Sequence, residues 1–230
     1  TLSGGEGRKW AEKFYNQRYK NLEDLKKRRV GKISAYEAWP LFEGIISLIN
    51  TYKNQTEELY LIQLGSCSGA DLHIIYDHFP SINCISTDIN DEILEFQKEK
   101  YQSNFKYFKC YAEDIDKCLI NFNLKNKKVI LFSCGSLQYL NPYHLEVFFN
   151  KMQSINNIDL FICDTVGLDF IENTLTAKSE IRFDIVFNHK YKQYLTGNFE
   201  ILKNKIIKPF EKDDLNNSNI AHTYLHIKYN

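Results

Sequence analysis

The short run Leu59 to Leu64, rich in strand-forming residues, ends abruptly on Gly65-Ser66-Cys67-Ser68-Gly69, and this junction constrains the chain more than any other stretch. A buried strand that stops on closely spaced small residues delivers a loop able to turn tightly against a ligand. Ala70 to Tyr76 then reads as the start of a helix, so free N–H groups and the positive end of the helix dipole face the strand end. A second apolar run, Cys84 to Thr87, closes on Asp88 about twenty residues after the loop, where an acid can accept hydrogen bonds from the two hydroxyls of a ribose. Loop and acid together point to a nucleoside cofactor.

From Leu59 onward, strand and helix patterns alternate, the signature of a parallel sheet with crossover helices. Strands are expected at Leu59–Leu64, Cys84–Asp88, Lys106–Tyr111, Lys128–Cys134 and Asp159–Cys163, with Asp164 at the tip of the last. Helices are expected over Ala70–Tyr76, Asp91–Tyr101, Asp114–Phe122, from Pro142 to about Ile155, and around Phe170–Ala177. The segment from Gly167 to Gly197 reads as irregular and contains the polar, aromatic stretch from Phe187 to Tyr194. Two alternating runs, Phe199–Ile207 and His222–Tyr229, form an antiparallel pair joined by a polar loop. The first 58 residues form a helical cap segment and residues 59–230 one α/β domain. In the cap, Trp10, Phe14, Tyr15, Tyr19, Leu22 and Leu25 make a helical stripe, and a further helix starts near Pro40, with Ser34 and Glu37 as a capping box. The cap either covers an edge of the sheet or forms a lid over the cofactor.

This order of elements resembles the class I S-adenosylmethionine-dependent methyltransferases over about three quarters of the chain. The resemblance rests on Ile62-Gln63-Leu64-Gly65-Ser66-Cys67-Ser68-Gly69 for the first, glycine-rich motif and on Asp88 for the ribose acid. It rests also on Tyr111-Ala112-Glu113-Asp114 beside the adenine, and on Ser133-Cys134-Gly135-Ser136-Leu137-Gln138-Tyr139 under the methyl donor. It implies a Rossmann-like, seven-stranded, mostly parallel sheet with helices on both faces and an antiparallel C-terminal hairpin. It implies S-adenosyl-L-methionine as cofactor, held by Gln63, Gly65, Ser66, Cys67, Gly69, Asp88, Ile89, Glu113, Asp114, Ser133 and Gly135. The chain departs from the pattern twice. Gln63 stands where the family carries an acid and has no charge for the methionine ammonium. Cys67 stands where the family has a glycine, so its Cβ must be accommodated by the loop.

The implied reaction moves a methyl group to an oxygen or nitrogen. Candidate catalytic residues are Asp164 at the sheet end where ligands of open α/β folds bind, His189 as a proton acceptor near neutral pH, and Tyr139 after the fourth strand. Each has a plainer reading: a helix cap for Asp164, a solvated surface histidine for His189, and core packing for Tyr139. Arg182, Lys190 and Lys192 offer charge for an anionic substrate, or simply a solvated face.

Equal numbers of basic and acidic residues, 29 of each, remove the general attraction a phosphate backbone needs, which disfavours nucleic acid as substrate. A small-molecule acceptor, such as a sugar or glycan precursor, is the expectation. Apolar runs are too short to span a membrane. The six cysteines have no CxxC spacing and read as buried thiols in a reducing cytoplasm, and the histidines show no metal-site spacing. No secretory signal is visible, and the start at Thr1 rather than Met leaves room for an upstream piece. A non-catalytic domain that keeps the ligand, or a partner-binding module that has lost it, is the competing expectation raised by Gln63 and Cys67.

Overall fold

The computed structural model describes residues 40–53, 58–101, 104–173, 175, 177–183, 186–207 and 219–229. The aromatic stripe and the capping box expected before Pro40 lie outside the described residues. Among the latter, α1 (Pro40–Lys53) is followed by β1 (Leu59–Leu64), α2 (Ala70–His78), β2 (Asn83–Asp88), α3 (Asp91–Tyr101) and β3 (Lys106–Lys109). A 3-10 turn at Ala112–Asp114 leads into α4 (Ile115–Asn121) and β4 (Lys128–Cys134), and a second at Leu137–Tyr139 precedes α5 (Pro142–Met152). Next come β5 (Ile158–Gly167), α6 (Leu168–Glu172), β6 (Ser179–Phe183), β7 (Val186–His189), a 3-10 turn at Tyr191–Tyr194, β8 (Phe199–Ile207) and β9 (Ile220–Tyr229).

The main sheet has seven strands in the order β3-β2-β1-β4-β5-β9-β8. The first five are parallel, and β9 runs antiparallel between β5 and β8. Alternate residues feed two apolar layers, as both faces of a parallel sheet require. Ile62, Leu64, Leu131, Leu160 and Ile162 face α4 and α5. Leu61, Ile130, Phe132, Phe161 and Cys163 face α1 and α2. Helix α1 buries Leu41, Phe42, Ile45 and Ile49 in that second layer, so it lies on a face of the sheet and shares the strands' core. Helix α5 starts where the sequence marks it: Pro142 occupies the first turn, and the Asn141 side chain accepts the His144 N–H at 2.9 Å.

Three readings change. The helix expected around Phe170–Ala177 is the shorter α6, which ends at Glu172. Strand β5 does not stop at Cys163 but continues to Gly167, because β9 stays in register from Asp164↔Thr223 to Gly167↔Ile220. The stretch expected to be irregular contains a separate two-stranded antiparallel insert, β6–β7, followed by a turn that buries Tyr191 and Tyr194. All six cysteines are free thiols. Among the described residues no helix is long and apolar enough to cross a membrane.

Candidate active site

The loop after β1 takes a left-handed backbone at three alternate positions, with φ of 59° at Gly65, 52° at Cys67 and 72° at Gly69. Cys67 therefore occupies a conformation that glycine adopts at no steric cost, and the loop keeps its turn despite the Cβ. The loop is stitched to the second strand. Ser66 N–H donates to the Thr87 carbonyl at 2.8 Å, and the Thr87 hydroxyl donates to the Gln63 carbonyl at 2.8 Å. Gln97, fully buried on α3, donates to Ser66 Oγ at 2.8 Å and to the Cys67 carbonyl at 2.7 Å while accepting from Ser86 Oγ at 2.6 Å. A Cβ at Gly69 would come within 2.8 Å of this same Gln97 side chain, and one at Gly65 within 2.4 Å of Ser136 Oγ. Sequence reasoning missed Gln97; its only signal is a polar residue within the buried stripe Ile93, Leu94, Phe96 of α3.

Asp88 ends β2 directly beside this loop, followed by the half-buried Ile89. Its Oδ2 accepts the Cys67 N–H at 3.0 Å and its Oδ1 the Asn90 N–H at 3.1 Å. The Ile89 amide bonds the carboxyl as well, so of a carboxylate's roughly four acceptor sites about one remains for a hydroxyl donor. Burial pushes its pKa up to about 6, with the Cys67 and Asn90 amides pulling the other way.

Gln63 is buried, and its amide N–H donates to Asp71 Oδ2 at 3.2 Å. Asp71, in the first turn of α2 and fully buried, thus places a carboxylate beside the uncharged Gln63. An acid there is easily taken for helix-dipole decoration, which is why the sequence hid it. Gln63 Oε1 is buried with no hydrogen-bond partner among the described residues. The acids after β3 turn toward α5: Glu113 Oε1 lies 3.0 Å from His144 Nδ1, and Asp114 pairs with Lys151 at 3.1 Å and Lys117 at 3.4 Å. Ser133 Oγ accepts the Leu137 N–H at 3.2 Å, and Gly135, at φ 78°, donates its N–H to the Cys163 carbonyl at 2.8 Å. These contacts shape the turn that carries Gln138 and the half-buried Tyr139.

Asp164 is not at a strand tip; it lies within β5, 1 % exposed, next to the Gly135 turn. Its Oδ2 accepts a short hydrogen bond from the Tyr191 hydroxyl, and Oδ1 has no hydrogen-bond partner among the described residues. Burial raises its pKa to about 7, against the opposing pull of Tyr191, the Gly135 and Ser136 amides and Arg182. That is the protonation balance a general base near neutral pH requires.

His189 is neither solvated nor a base suited to neutral pH. It is 2 % exposed at the end of β7, and burial lowers its pKa to about 3. Its Nδ1 is hydrogen-bonded to Ser179 Oγ at 2.5 Å, and its ring stacks on Phe187 with centroids 5.6 Å apart. Ser179 Oγ also bonds the Tyr194 hydroxyl, so His189 locks the insert to the following turn. Arg182, on β6, reaches back over the sheet: one nitrogen, Nη2, donates to Thr165 Oγ1 at 2.8 Å and to Gln138 Oε1 at 3.1 Å.

The β1 loop, Asp88, Asp164 and the Gly135 turn therefore all lie at the carboxyl ends of the parallel strands, where open α/β sheets bind ligands. An open groove of about 200 Å³ lined by Ile49, Tyr52, Phe79 and Asn83 lies at the opposite, amino ends. The chemistry-bearing side chains described above are not part of it.

No protein-family model matches the chain, and no curated protein matches it significantly. Solved structures do match by shape. An S-adenosylmethionine-dependent methyltransferase from Clostridium acetobutylicum superposes with a TM-score of 0.56 over 91 % of this chain and 100 % of its own, at 12 % identity. A SAM-dependent methyltransferase from Anabaena variabilis gives 0.55 over 81 % of this chain and 84 % of its own, also at 12 % identity. The fold is that of the class I S-adenosylmethionine-dependent methyltransferases.

Proposed function

We propose that this chain is an S-adenosylmethionine-dependent methyltransferase acting on an oxygen or nitrogen of a small molecule. The observation that carries the reading is the pairing of Asp88, with acceptor capacity left over beside the β1 loop, and the buried, near-neutral Asp164 at the same end of the sheet. The residues present fit the cofactor. The unpartnered Gln63 Oε1 and the Asp71 carboxylate beside it offer acceptors beneath the loop, and Asp88 offers one at its side. Gly65 to Gly69 and Asp88 would hold the nucleoside part and Gln63 with Asp71 the amino-acid end. When bound, the cofactor supplies a methyl group already activated on a sulfonium, so alignment and exclusion of water are the protein's main tasks.

Asp164 Oδ1 would take the proton of an acceptor hydroxyl, while Tyr191 holds Oδ2 and fixes the carboxyl plane. Tyr139 and Gln138, on the turn after β4, flank that position. Gln138 is set by its contacts with the Gly135 carbonyl at 2.9 Å and with Thr165. Calorimetry with S-adenosylhomocysteine tests the reading: saturable binding is expected, weakened by about 1.5–3 kcal/mol in Asp88→Ala through loss of charge-assisted hydrogen bonds. Folded protein that gives no heat with either S-adenosylmethionine or S-adenosylhomocysteine would overturn it.

A further inference from the structure

Burying a side-chain amide without partners is costly, so a fully buried glutamine marks a place where its hydrogen bonds matter. Gln97 on α3 is such a residue, and it directs its amide nitrogen at one loop: Nε2 donates to Ser66 Oγ at 2.8 Å and to the Cys67 carbonyl at 2.7 Å. Its Oε1 accepts from Ser86 Oγ of β2 at 2.6 Å. The amide cannot be turned over, because Oε1 would then face the Cys67 carbonyl, acceptor against acceptor. Ser86, at the other end, favours the same orientation of the amide toward the loop.

The residue this amide grips is Cys67. At φ 52° it lies in the left-handed region, where a Cβ is unfavourable and glycine is not. Its N–H donates to Asp88 Oδ2 at 3.0 Å and its carbonyl accepts from Gln97. These contacts lie on the peptide before Cys67 and on the peptide after it, so together they fix its φ and ψ. The N–H contact also ties down the Asp88 carboxylate. Gln97 therefore acts on that acid through one residue, since holding the Cys67 carbonyl sets the direction of the Cys67 N–H. Gly69 completes the fit. A Cβ there would come within 2.8 Å of Gln97 Cδ and Oε1, so the loop closes directly onto the glutamine.

We propose that Gln97 is the positioning residue of the cofactor loop: it holds Cys67 in the left-handed backbone that glycine adopts unaided, and through the Cys67 N–H it sets the Asp88 carboxylate for a ribose hydroxyl. The word cofactor rests on the methyltransferase reading, whereas the clamp on Cys67 stands on the hydrogen bonds themselves. The counter-reading is that Gln97 only packs α3 against the sheet, in which case it matters equally with and without the Cys67→Gly change.

The test uses the full chain with Gln97→Met, which keeps the length and approximate volume of the side chain and removes all three hydrogen bonds. S-adenosylhomocysteine affinity is measured by calorimetry with and without Cys67→Gly, and amide hydrogen exchange is followed in the ligand-free protein. Gln97→Met alone should weaken S-adenosylhomocysteine about tenfold or more. On top of Cys67→Gly the same change should cost about threefold or less, because glycine needs no clamp. The Cys67 amide should exchange about tenfold faster in Gln97→Met, well beyond any change at Leu131 of β4, since only a general loss of stability speeds both alike. Should Gln97→Met not fold, Ser86→Ala, which removes only the hydroxyl behind the amide, should show the same pattern at smaller size. Wild-type protein that does not bind S-adenosylhomocysteine counts against the methyltransferase reading, and the exchange rates then decide the clamp by themselves. A Cys67 exchange rate that is unchanged or rises only in step with Leu131, or an affinity loss equal with and without Cys67→Gly, would overturn the proposal.

Discussion

Asp164 costs the fold stability in order to be useful. Its carboxyl ionises at about 7 in the folded chain against 3.8 when exposed, so between those values the unfolded chain gives up the proton and the folded chain keeps it. The penalty is absent below about pH 4, grows as pH rises, and is complete above 7. At about 1.4 kcal/mol per pKa unit it amounts to several kcal/mol. Asp164→Asn still accepts the Tyr191 hydrogen bond but never ionises. Thermal melts should show this variant more stable than wild type at pH 8, with the gain vanishing near pH 4. Turnover of an oxygen acceptor should fall about 10²–10⁴-fold with S-adenosylhomocysteine affinity intact. Equal melting temperatures at pH 8 would show that the carboxyl is not held near neutral. Cys67 is the other residue under tension: at φ 52° a Cβ costs roughly 1–2 kcal/mol that glycine does not. Urea unfolding should find Cys67→Gly as stable as wild type or up to about 1 kcal/mol better, and Cys67→Val clearly worse because a β-branched side chain suits this region least.

The β6–β7 insert shows how an element can be built around a histidine that does no acid–base work at neutral pH. His189 titrates near 3 in the fold and near 6.5 when exposed, so the unfolded chain binds a proton that the folded chain refuses. Stability should decline as pH falls from about 6.5 toward 3. His189→Ala should remove that part of the decline and lower stability at pH 7 by about 1–3 kcal/mol through lost packing on Phe187 and the lost Ser179 hydrogen bond. The variant's pH–rate profile should keep its inflection near 7, since that belongs to Asp164. Loss of the inflection would return His189 to the role of base.

Across the whole molecule, one buried polar knot joins segments far apart in sequence. Asp159 on β5 accepts from Tyr52 of α1 at 2.9 Å and pairs with Lys128 of β4 at 3.0 Å, and its other oxygen lies 2.8 Å from His226 of β9. Burial alone would raise the Asp159 pKa, but the His226, Lys128 and Tyr52 contacts outweigh it and hold it below the usual value. Its stabilising share is therefore fully present above the ordinary carboxylate range and lost as pH falls through the lowered folded value. Asp159→Ala leaves Lys128, with a side chain only 10 % exposed, without this anion, and chemical denaturation should register a loss of about 3–5 kcal/mol. The double change Asp159→Leu with Lys128→Met should cost markedly less, because no charge is then stranded. A single variant as stable as wild type would show that the knot is incidental.

What the sequence determined by itself is whatever depends on local pattern. The edges of β1 and β4, the glycine loop and the acid at the end of β2 were legible because burial on both faces writes continuous apolar runs and because a strand that stops on glycines has few other uses; α3 and β8 were legible from a one-sided apolar stripe and from alternation. Tertiary pairing decided the rest. Asp164 reads as a tip residue until β9 pairs alongside and prolongs β5 to Gly167. His189 reads as solvent-facing until β6 pairs with its strand. Asp71 reads as a dipole partner until α2 folds back over Gln63. In each case a partner distant in sequence removes water from a polar group, and no window of neighbouring residues encodes that loss.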